Sequence, residues 1–270
     1  MAARPKAVAP TVKQTEKAPV EHIEGIYAIL LCGYLTLKDE HRRQLRARGL
    51  TDGEIIRLNF KSTPHPMAGD CIVQALADYG LEGVPGFYFE RDRWRLAEQR
   101  PGFFIPIKSA EGRLVGLQVR RADVSDGRGK YVWFSSNGKH LGVSSGAPVH
   151  YANWHLLADG ASQVLVTEGA LKANVIACLS GLPVIGVAGV SNFGADFATK
   201  LKANFPAVRE VVIAYDRDLM EKPQVYDALL RLSAQLERER FRVKVRTWPT
   251  QYKGLDDYLA AQIQTQEVAA

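Results

Sequence analysis

Residues 163–169, Gln-Val-Leu-Val-Thr-Glu-Gly, decide how the second half of this chain folds. Their apolar run predicts a short strand covered on both faces, and the acidic residue and glycine at its end precede a predicted helix from Ala170 to about Leu179. The same alternation continues along the chain. Further strands are predicted over Val184–Ala188, Val211–Tyr215 and Phe241–Thr247, and further helices from about Ala195 to Asn204 and from about Gln224 to Arg240. This order predicts an α/β fold whose parallel sheet is flanked by helices.

Acidic residues follow three of the predicted strands. Glu168 comes directly after the first, Asp216 and Asp218 come after the third, and Asp256 and Asp257 come after the last. Ligands of parallel sheets bind at the carboxyl ends of the strands, so we expect these side chains to meet at one edge. Carboxylate oxygens suit Mg²⁺ or Mn²⁺. An Asp-x-Asp pair alone is more typical of a solvated loop, but together the three segments favour a metal site.

The region before residue 156 has a different pattern. A helical segment ends at Gly49, and Thr51 with Glu54 forms the pattern of a capping box that opens the next helix. The segment up to residue 100 is predicted to be mostly helical. Strands are then predicted over Phe103–Ile107, Leu114–Arg120 and Lys130–Ser135, the first two joined by a hairpin loop at Glu111-Gly112. We therefore expect a mixed α+β subdomain before the α/β region.

Composition limits the function classes. The 270 residues carry a net charge of +6, with 46% hydrophobic and 24% charged residues, which is typical of a globular protein with a polyanionic partner. The first 20 residues lack the apolar core of a signal peptide and are expected to be a flexible basic tail. The longest apolar run, Tyr27 to Leu37, is too short to span a membrane, so no membrane partner is expected. Three cysteines without a CxxC pair fit the reducing cytoplasm.

Three motifs resemble those of Toprim domains, which occur in primases, topoisomerases, recombination proteins and some nucleases. They are Val166-Thr167-Glu168-Gly169, Ala214-Tyr215-Asp216-Arg217-Asp218 and Lys253-Gly254-Leu255-Asp256-Asp257-Tyr258-Leu259. The preceding segments closely resemble those before the Toprim domain of bacterial DnaG-type primases. They are Leu45-Arg46-Ala47-Arg48-Gly49-Leu50-Thr51 with Ile55-Ile56, Phe104-Ile105-Pro106-Ile107, Gly112-Arg113-Leu114-Val115-Gly116, Arg120, and Lys130-Tyr131 with Ser135. Residues 41–262 thus resemble a DnaG-type primase catalytic core.

The resemblance implies roles for individual residues. Glu168, Asp216 and Asp218 fall on catalytic positions, and together with Asp256 they fall on the acidic cluster that holds Mg²⁺ or Mn²⁺. The basic positions of the template and nucleotide groove are matched by Arg48, Arg120 and Lys130, with Lys139 a further basic position and Arg121 extending the charge. The implied organisation is a tail over 1–20, a nucleic-acid-binding subdomain over 21–155, a Toprim catalytic domain over 156–262 and a C-terminal tail over 263–270.

Two residues depart from the family's pattern. Lys172 stands where these primases usually carry an aspartate, and Gly254 replaces the first aspartate of the last motif. Lys172 is expected to bind nucleotide or nucleic-acid phosphate, to reduce the charge that the metals neutralise, or to mark the loss of one metal site. Both changes resemble the Toprim–primase variants of phages and mobile elements.

The resemblance implies template-directed primer synthesis on single-stranded DNA from nucleoside triphosphates, with a replicative helicase as partner. Glu168 would bind metal or act as general acid and base. A Toprim nuclease and a non-catalytic nucleic-acid-binding module remain alternatives, and the arginine-rich helix before Thr51 is also compatible with a helix-turn-helix reader. The family's zinc-binding module and helicase-interaction domain have no match, so the chain is expected to be an excised core or one subunit that borrows those functions.

Overall fold

The structure is a computed structural model. It describes residues 15–98, 100–125, 127, 129–189, 193–216 and 223–269, with side chains described through residue 265. Six residues of the predicted basic tail, 15–20, are described, and they lie against the body of the protein. The ammonium of Lys17 donates to the carbonyl oxygen of Ser145 at 2.9 Å, and the amide of Ala18 donates to the carbonyl oxygen of Gly83 at 2.9 Å. The end of the predicted tail is therefore ordered by backbone contacts.

The N-terminal half combines helices with an antiparallel sheet. Its helices are α1 (Val20–Ala28), which continues as a π-helical segment (Ile29–Tyr34), α2 (Asp39–Arg46), α3 (Asp52–Arg57) and α4 (Pro66–Ala77). Its strands are β1 (Lys61–Ser62), β2 (Phe87–Glu90), β3 (Arg93–Leu96), β4 (Gly102–Lys108), β5 (Leu114–Arg121) and β6 (Tyr131–Trp133). Strands β1, β4, β5 and β6 form a sheet in the order β1-β4-β5-β6, and β2 pairs with β3 in a separate hairpin. This half is the predicted mixed α+β subdomain.

The C-terminal half is built on a five-stranded sheet in the order β11-β10-β8-β9-β7. The strands are β7 (His150–Ala152), β8 (Gln163–Glu168), β9 (Val184–Val187), β10 (Glu210–Ile213) and β11 (Arg242–Val245). The helices are α5 (Trp154–Ala158), α6 (Ala170–Ser180), α7 (Phe197–Asn204), α8 (Pro223–Arg238) and α9 (Leu255–Ala269). Strands β8 to β11 pair in parallel as predicted. The fifth strand, β7, was not predicted, and it adds an antiparallel edge beside β9.

Strand β4 joins the two halves, because its alternate residues face different cores. Phe104 packs into the core of the N-terminal half. Phe103 and Ile105 point the other way and pack in one cluster with Leu171 and Val175 of α6. The helix that follows the first parallel strand is therefore fixed against the antiparallel sheet, which places the carboxyl edge of the parallel sheet next to β5 and β6.

Local signals in the sequence account for several element ends. Thr51 accepts from the amide of Glu54, and the Glu54 carboxylate accepts from the amide of Thr51 at 2.7 Å, which confirms the capping box. Gly49, three residues after the end of α2, has a φ of +91°, a conformation that glycine adopts without strain. The loop at Glu111-Gly112 joins β4 and β5 as predicted.

Two segments differ from the expected secondary structure. The hairpin β2–β3 lies in a region expected to be mostly helical. Its strands are too short to show a period in the sequence, and the hairpin is held by Trp94 and Phe89, which pack edge to face. Helix α9 runs through the segment expected to be a C-terminal tail. Among the described residues, no single helix is long and apolar enough to cross a membrane. Two consecutive helical segments, Val20–Tyr34 and Asp39–Arg46, are long and apolar enough only when they are counted together, and the chain bends by 110° between them.

Candidate active site

Two of the predicted acidic residues meet at the carboxyl edge of the parallel sheet. Glu168 is the last residue of β8, and Asp216 follows the neighbouring strand β10. The Thr167 hydroxyl donates to the carbonyl oxygen of Ala214 at 2.9 Å and holds the two strand ends together. The amide of Asp216 points to Glu168 Oε2 at 3.5 Å. The parallel register thus brings together two residues that are 48 positions apart in the chain.

The ammonium group of Lys172 lies between these two carboxylates. Lys172 is one turn into α6, and its Nζ donates to Glu168 Oε1 at 3.1 Å and to Asp216 Oδ1. Burial lowers the pKa of Lys172, but the charges of Glu168, Asp256 and Asp216 outweigh it, so the pKa is raised and the ammonium stays charged. Burial raises the pKa of Glu168 to about 7, although Lys172 opposes this change.

Asp256 joins the site from the first turn of α9. It is only 3% exposed, and its Oδ2 accepts from Arg48 Nη1 at 3.1 Å. Its Oδ1 is buried and has no hydrogen-bond partner among the residues that the structure describes. Burial raises the pKa of Asp256, with Lys172 opposing. This is the third predicted metal ligand, and it presents one unsatisfied oxygen.

Gly254 leaves a space between the carboxylates. A Cβ atom at this position would lie 2.8 Å from Asp216 Oδ1 and closer still to Asp256 Oδ1, with Lys172 Nζ at 3.4 Å. Side chains larger than hydrogen would therefore collide with the two carboxylate oxygens. The replacement of aspartate by glycine is thus linked to the convergence of Asp216 and Asp256.

The carboxylates are of the kind that hold a divalent cation. Asp256 Oδ1 is an orphaned buried oxygen, and it faces the same space beside Gly254 as Asp216 Oδ1. Mg²⁺ is commonly held by one or two carboxylates, with water and substrate phosphates completing its shell. Within the described ranges, no group of three His, Cys, Asp or Glu side chains converges as a metal centre. Asp218, the remaining predicted ligand, lies outside the described residues.

A basic wall faces the carboxylates across a cavity of about 830 Å³. Arg48 and Lys130 line it together with Tyr131 and Trp133 of β6. The charge of Arg120 lowers the pKa of Lys130 most, and burial and the charge of Arg48 lower it further. Positive charge is therefore crowded at this side of the cavity. The cavity therefore has an acidic floor and a basic side, as expected for a site that holds a phosphate backbone or a triphosphate next to a metal ion.

Three predicted basic residues are not among those that line this cavity. Arg120 pairs across the sheet with Tyr131, donates to Gln44 Oε1 and stacks its guanidinium 5.5 Å from the ring centre of Phe103. Arg121 points to the opposite face of β5 and is 2% exposed, so it does not extend the charged surface. Lys139 lies over the ring of Tyr88 at 5.3 Å, away from the cavity lining.

Sequence reasoning missed two features of this site. Gln118 lines the cavity from β5, is 5% exposed, and its buried Oε1 has no partner in the described part of the chain. Its position two residues before Arg120 on the same strand face was the signal that could have found it. The Arg48–Asp256 pair joins residues 208 positions apart, and no local pattern predicts it.

A family profile described as a domain of unknown function, DUF3854, matches residues 153–266, which is the α/β half with its carboxylates. No curated protein sequence matches the chain. Several solved structures of primases are similar to this chain. The chain matches the zinc-binding and RNA polymerase domains of the Aquifex aeolicus primase with a TM-score of 0.68 and 18% identity, over 94% of this chain and 61% of that one. It therefore spans less than two thirds of that structure.

Two further structures were solved with DNA. One is the RNA polymerase domain of Mycobacterium tuberculosis primase DnaG in complex with double-stranded DNA, with a TM-score of 0.68, 18% identity, and 91% of this chain and 79% of that one covered. The other is a DnaG primase catalytic domain bound to single-stranded DNA, with a TM-score of 0.65, 16% identity, and 92% and 77% covered. The chain has the α/β, Toprim-type fold of DnaG primase catalytic cores.

Proposed function

We propose that this chain is a primase-like nucleotidyltransferase that makes short primers on single-stranded DNA from nucleoside triphosphates. The observation that carries the proposal is the cavity in which Glu168, Asp216 and Asp256 face Arg48 and Lys130. Nucleotidyl transfer requires such a pairing, because a polyanionic template and a triphosphate must be held beside groups that stabilise charge on the transferred phosphorus. The likeness in fold to primase cores supports the same reaction class.

The residues of the chain would divide this work. Arg48 and Lys130 would hold template and triphosphate phosphates from the basic side, and Tyr131, which is 40% exposed, offers a face on which a base can stack. Asp216 and Asp256 would hold Mg²⁺ or Mn²⁺, together with Asp218, which comes two residues after Asp216 in the sequence. When bound, that ion supplies electrostatic stabilisation and orientation of the phosphates.

Glu168 is suited to hold or move a proton. Its carboxyl is buried and has a pKa raised to about 7, near the pH at which a group can both accept and donate a proton. In this proposal Glu168, next to Asp216, would take the proton of the attacking hydroxyl of a primer end or first nucleotide. Lys172 would contact the triphosphate from the same edge of the cavity.

The biological setting belongs to the same proposal. The departures at Lys172 and Gly254 support replication of a phage, plasmid or mobile element, whose Toprim–primase variants the sequence resembles. A replicative helicase is the proposed partner, because primers are made on strands that a helicase exposes. The three free cysteines support a cytoplasmic location.

A non-catalytic binding module is the second candidate, and one observation favours it. Lys172 offsets the charge of Glu168 and Asp216, and a site neutralised in this way could bind nucleic acid without turnover. A third reading, a Toprim nuclease, uses the same carboxylates but has no need of the basic wall of Arg48 and Lys130.

One assay separates the three. The full chain is incubated with a single-stranded DNA template, Mg²⁺ or Mn²⁺ and labelled ribo- or deoxyribonucleoside triphosphates, and the products are resolved on a denaturing gel. The proposal predicts short labelled products that depend on the template. Shortened template without nucleotides would indicate the nuclease, and template binding with no product under either metal would indicate the binding module.

A further inference from the structure

The acidic site contains a cation of its own. Lys172 Nζ is held by Glu168 Oε1 at 3.1 Å and by Asp216 Oδ1, and its side chain is only 16% exposed. An ammonium group that bridges two carboxylates takes the position in which a divalent ion would be shared between them. This arrangement is set by the fold, since Glu168 ends β8 and Lys172 lies four residues later in the first turn of α6.

A second cation is supplied by the N-terminal half. Arg48 Nη1 binds Asp256 Oδ2 at 3.1 Å, with the carboxylate almost completely buried. Lys172 and Arg48 therefore offset two of the three negative charges of Glu168, Asp216 and Asp256. Less negative charge is therefore left for a second divalent ion, and uncompensated charge is costly in a buried site.

One carboxylate oxygen is left for a metal. Asp256 Oδ1 is buried and has no partner among the described residues, and it faces the space beside Gly254 together with Asp216 Oδ1. Any side chain at position 254 would fill that space. The glycine and the lysine thus act as a pair, because one position is closed to a metal by an ammonium and the other is kept open by a missing side chain.

We infer that Lys172 is a resident counter-ion that replaces one divalent cation, so that this site binds a single Mg²⁺ or Mn²⁺ ion beside Gly254. The inference rests on the proposed function, since it names the metal content of the same site. It also assigns Lys172 a role in addition to the proposed phosphate contact: its charge is used within the protein before any substrate arrives.

The test is the number of Mn²⁺ ions bound by the full chain without nucleotide or DNA. Isothermal titration with MnCl₂, checked by the loss of free-Mn²⁺ signal in electron paramagnetic resonance, is expected to give one ion per chain. Binding of two ions, or of none, would overturn the inference. A wild-type protein that binds one ion but makes no primers would contradict the proposed function and leave the inference standing.

A matched pair of variants sharpens this test. Lys172→Met keeps the length of the side chain and removes its charge, so it is expected to bind a second Mn²⁺ between Glu168 and Asp216. Lys200→Met is the control, because Lys200 also pairs with a carboxylate four residues earlier, Asp196 at 2.7 Å, but on the exposed surface. The control is expected to keep one ion. If Lys172→Met also keeps one ion while its circular dichroism shows a folded chain, the inference is wrong, and if that variant does not fold, the wild-type stoichiometry decides.

Discussion

The guanidinium of Arg48 donates to the carboxylate of Asp256 at 3.1 Å and so joins the N-terminal half of the chain to the acidic site of the C-terminal half. Arg48 is about a third exposed, whereas Asp256 is almost fully buried. The pair therefore has two consequences. It fixes the basic wall against the carboxylates, and it provides the only cation that contacts Asp256 directly among the described ion pairs.

Loss of this pair should destabilise the fold. Arg48→Met leaves the buried Asp256 carboxylate without its cation, and we expect the free energy of unfolding to fall by about 1–2 kcal/mol, less than for a fully buried pair because Arg48 is partly solvated. The measurement is urea denaturation followed by circular dichroism. The Asp256→Asn change should lower the free energy of unfolding less in the Arg48→Met background than in the wild type, because the two side chains interact.

Arg46→Met, which breaks the exposed pair with Asp52, is the control and should have a much smaller effect. Equal effects of the two arginine variants would contradict the role of the buried pair.

Lys130 should contribute to template binding through its charge. Lys130→Gln is expected to weaken binding of a single-stranded oligonucleotide severalfold and to reduce the slope of log affinity against log salt by about 0.7, the value for one phosphate contact on a single strand. Fluorescence anisotropy over a range of salt concentrations measures both. Lys202→Gln, on α7 and paired with Glu239, is the control. An unchanged salt slope for Lys130→Gln would remove this residue from the interface.

Gly254 should be required for the metal and much less for the fold. Gly254→Ala places a methyl group against the oxygens of Asp216 and Asp256, and we expect Mn²⁺ affinity to fall by about tenfold or more with a small change in thermal stability. Titration calorimetry and a thermal melt give the two values. Gly53→Ala is the control, because a Cβ there meets nothing within 4 Å. Normal Mn²⁺ affinity in Gly254→Ala would show that the ion lies elsewhere.

His150 predicts a dependence of stability on pH. Its Nδ1 accepts from the amide of Lys108 at 3.0 Å, which leaves Nε2–H to donate to Asn174 Oδ1 at 2.9 Å. Burial lowers the pKa of His150 from 6.5 to about 4, so the folded protein holds it neutral while the unfolded chain is protonated. This stabilisation is present above pH 6.5 and is lost as the pH falls toward 4, at a cost on the order of 3 kcal/mol.

The variant His150→Gln tests this assignment. It should flatten the fall in unfolding free energy between pH 6.5 and 4, measured by urea denaturation at a series of pH values. His155→Gln, which removes an exposed histidine of α5, should keep the wild-type dependence. The same slope in all three proteins would mean that His150 is not the group that titrates.

Regular patterns made the parallel sheet and its acidic edge predictable. The apolar run ending at Glu168 specifies a buried strand, and the rule that carboxyl ends of parallel strands meet then places Glu168 next to Asp216. The capping box at Thr51 could be read for the same reason, since its partners are three residues apart. Such features depend on local spacing, which a sequence displays directly.

Long-range packing could not be predicted in this way. The three-residue strand β7 is too short to show a period, and it exists because it pairs with β9 across the chain. The burial of Arg121 follows from the register of β5, which decides which of two neighbouring arginines is buried. The position of Lys172 between two carboxylates likewise depends on β8, β10 and α6 together. These features require the tertiary arrangement.

The most direct test of the account is primer synthesis by Asp216→Asn. This change keeps the size of a side chain in the acidic site and removes its charge, and the account predicts that template-dependent product falls at least about 100-fold while binding of single-stranded DNA stays close to that of the wild type. Asp196→Asn makes the same chemical change in an exposed pair with Lys200 and should keep full synthesis. If Asp216→Asn makes primers at the wild-type rate, the acidic edge of the sheet is not the active site.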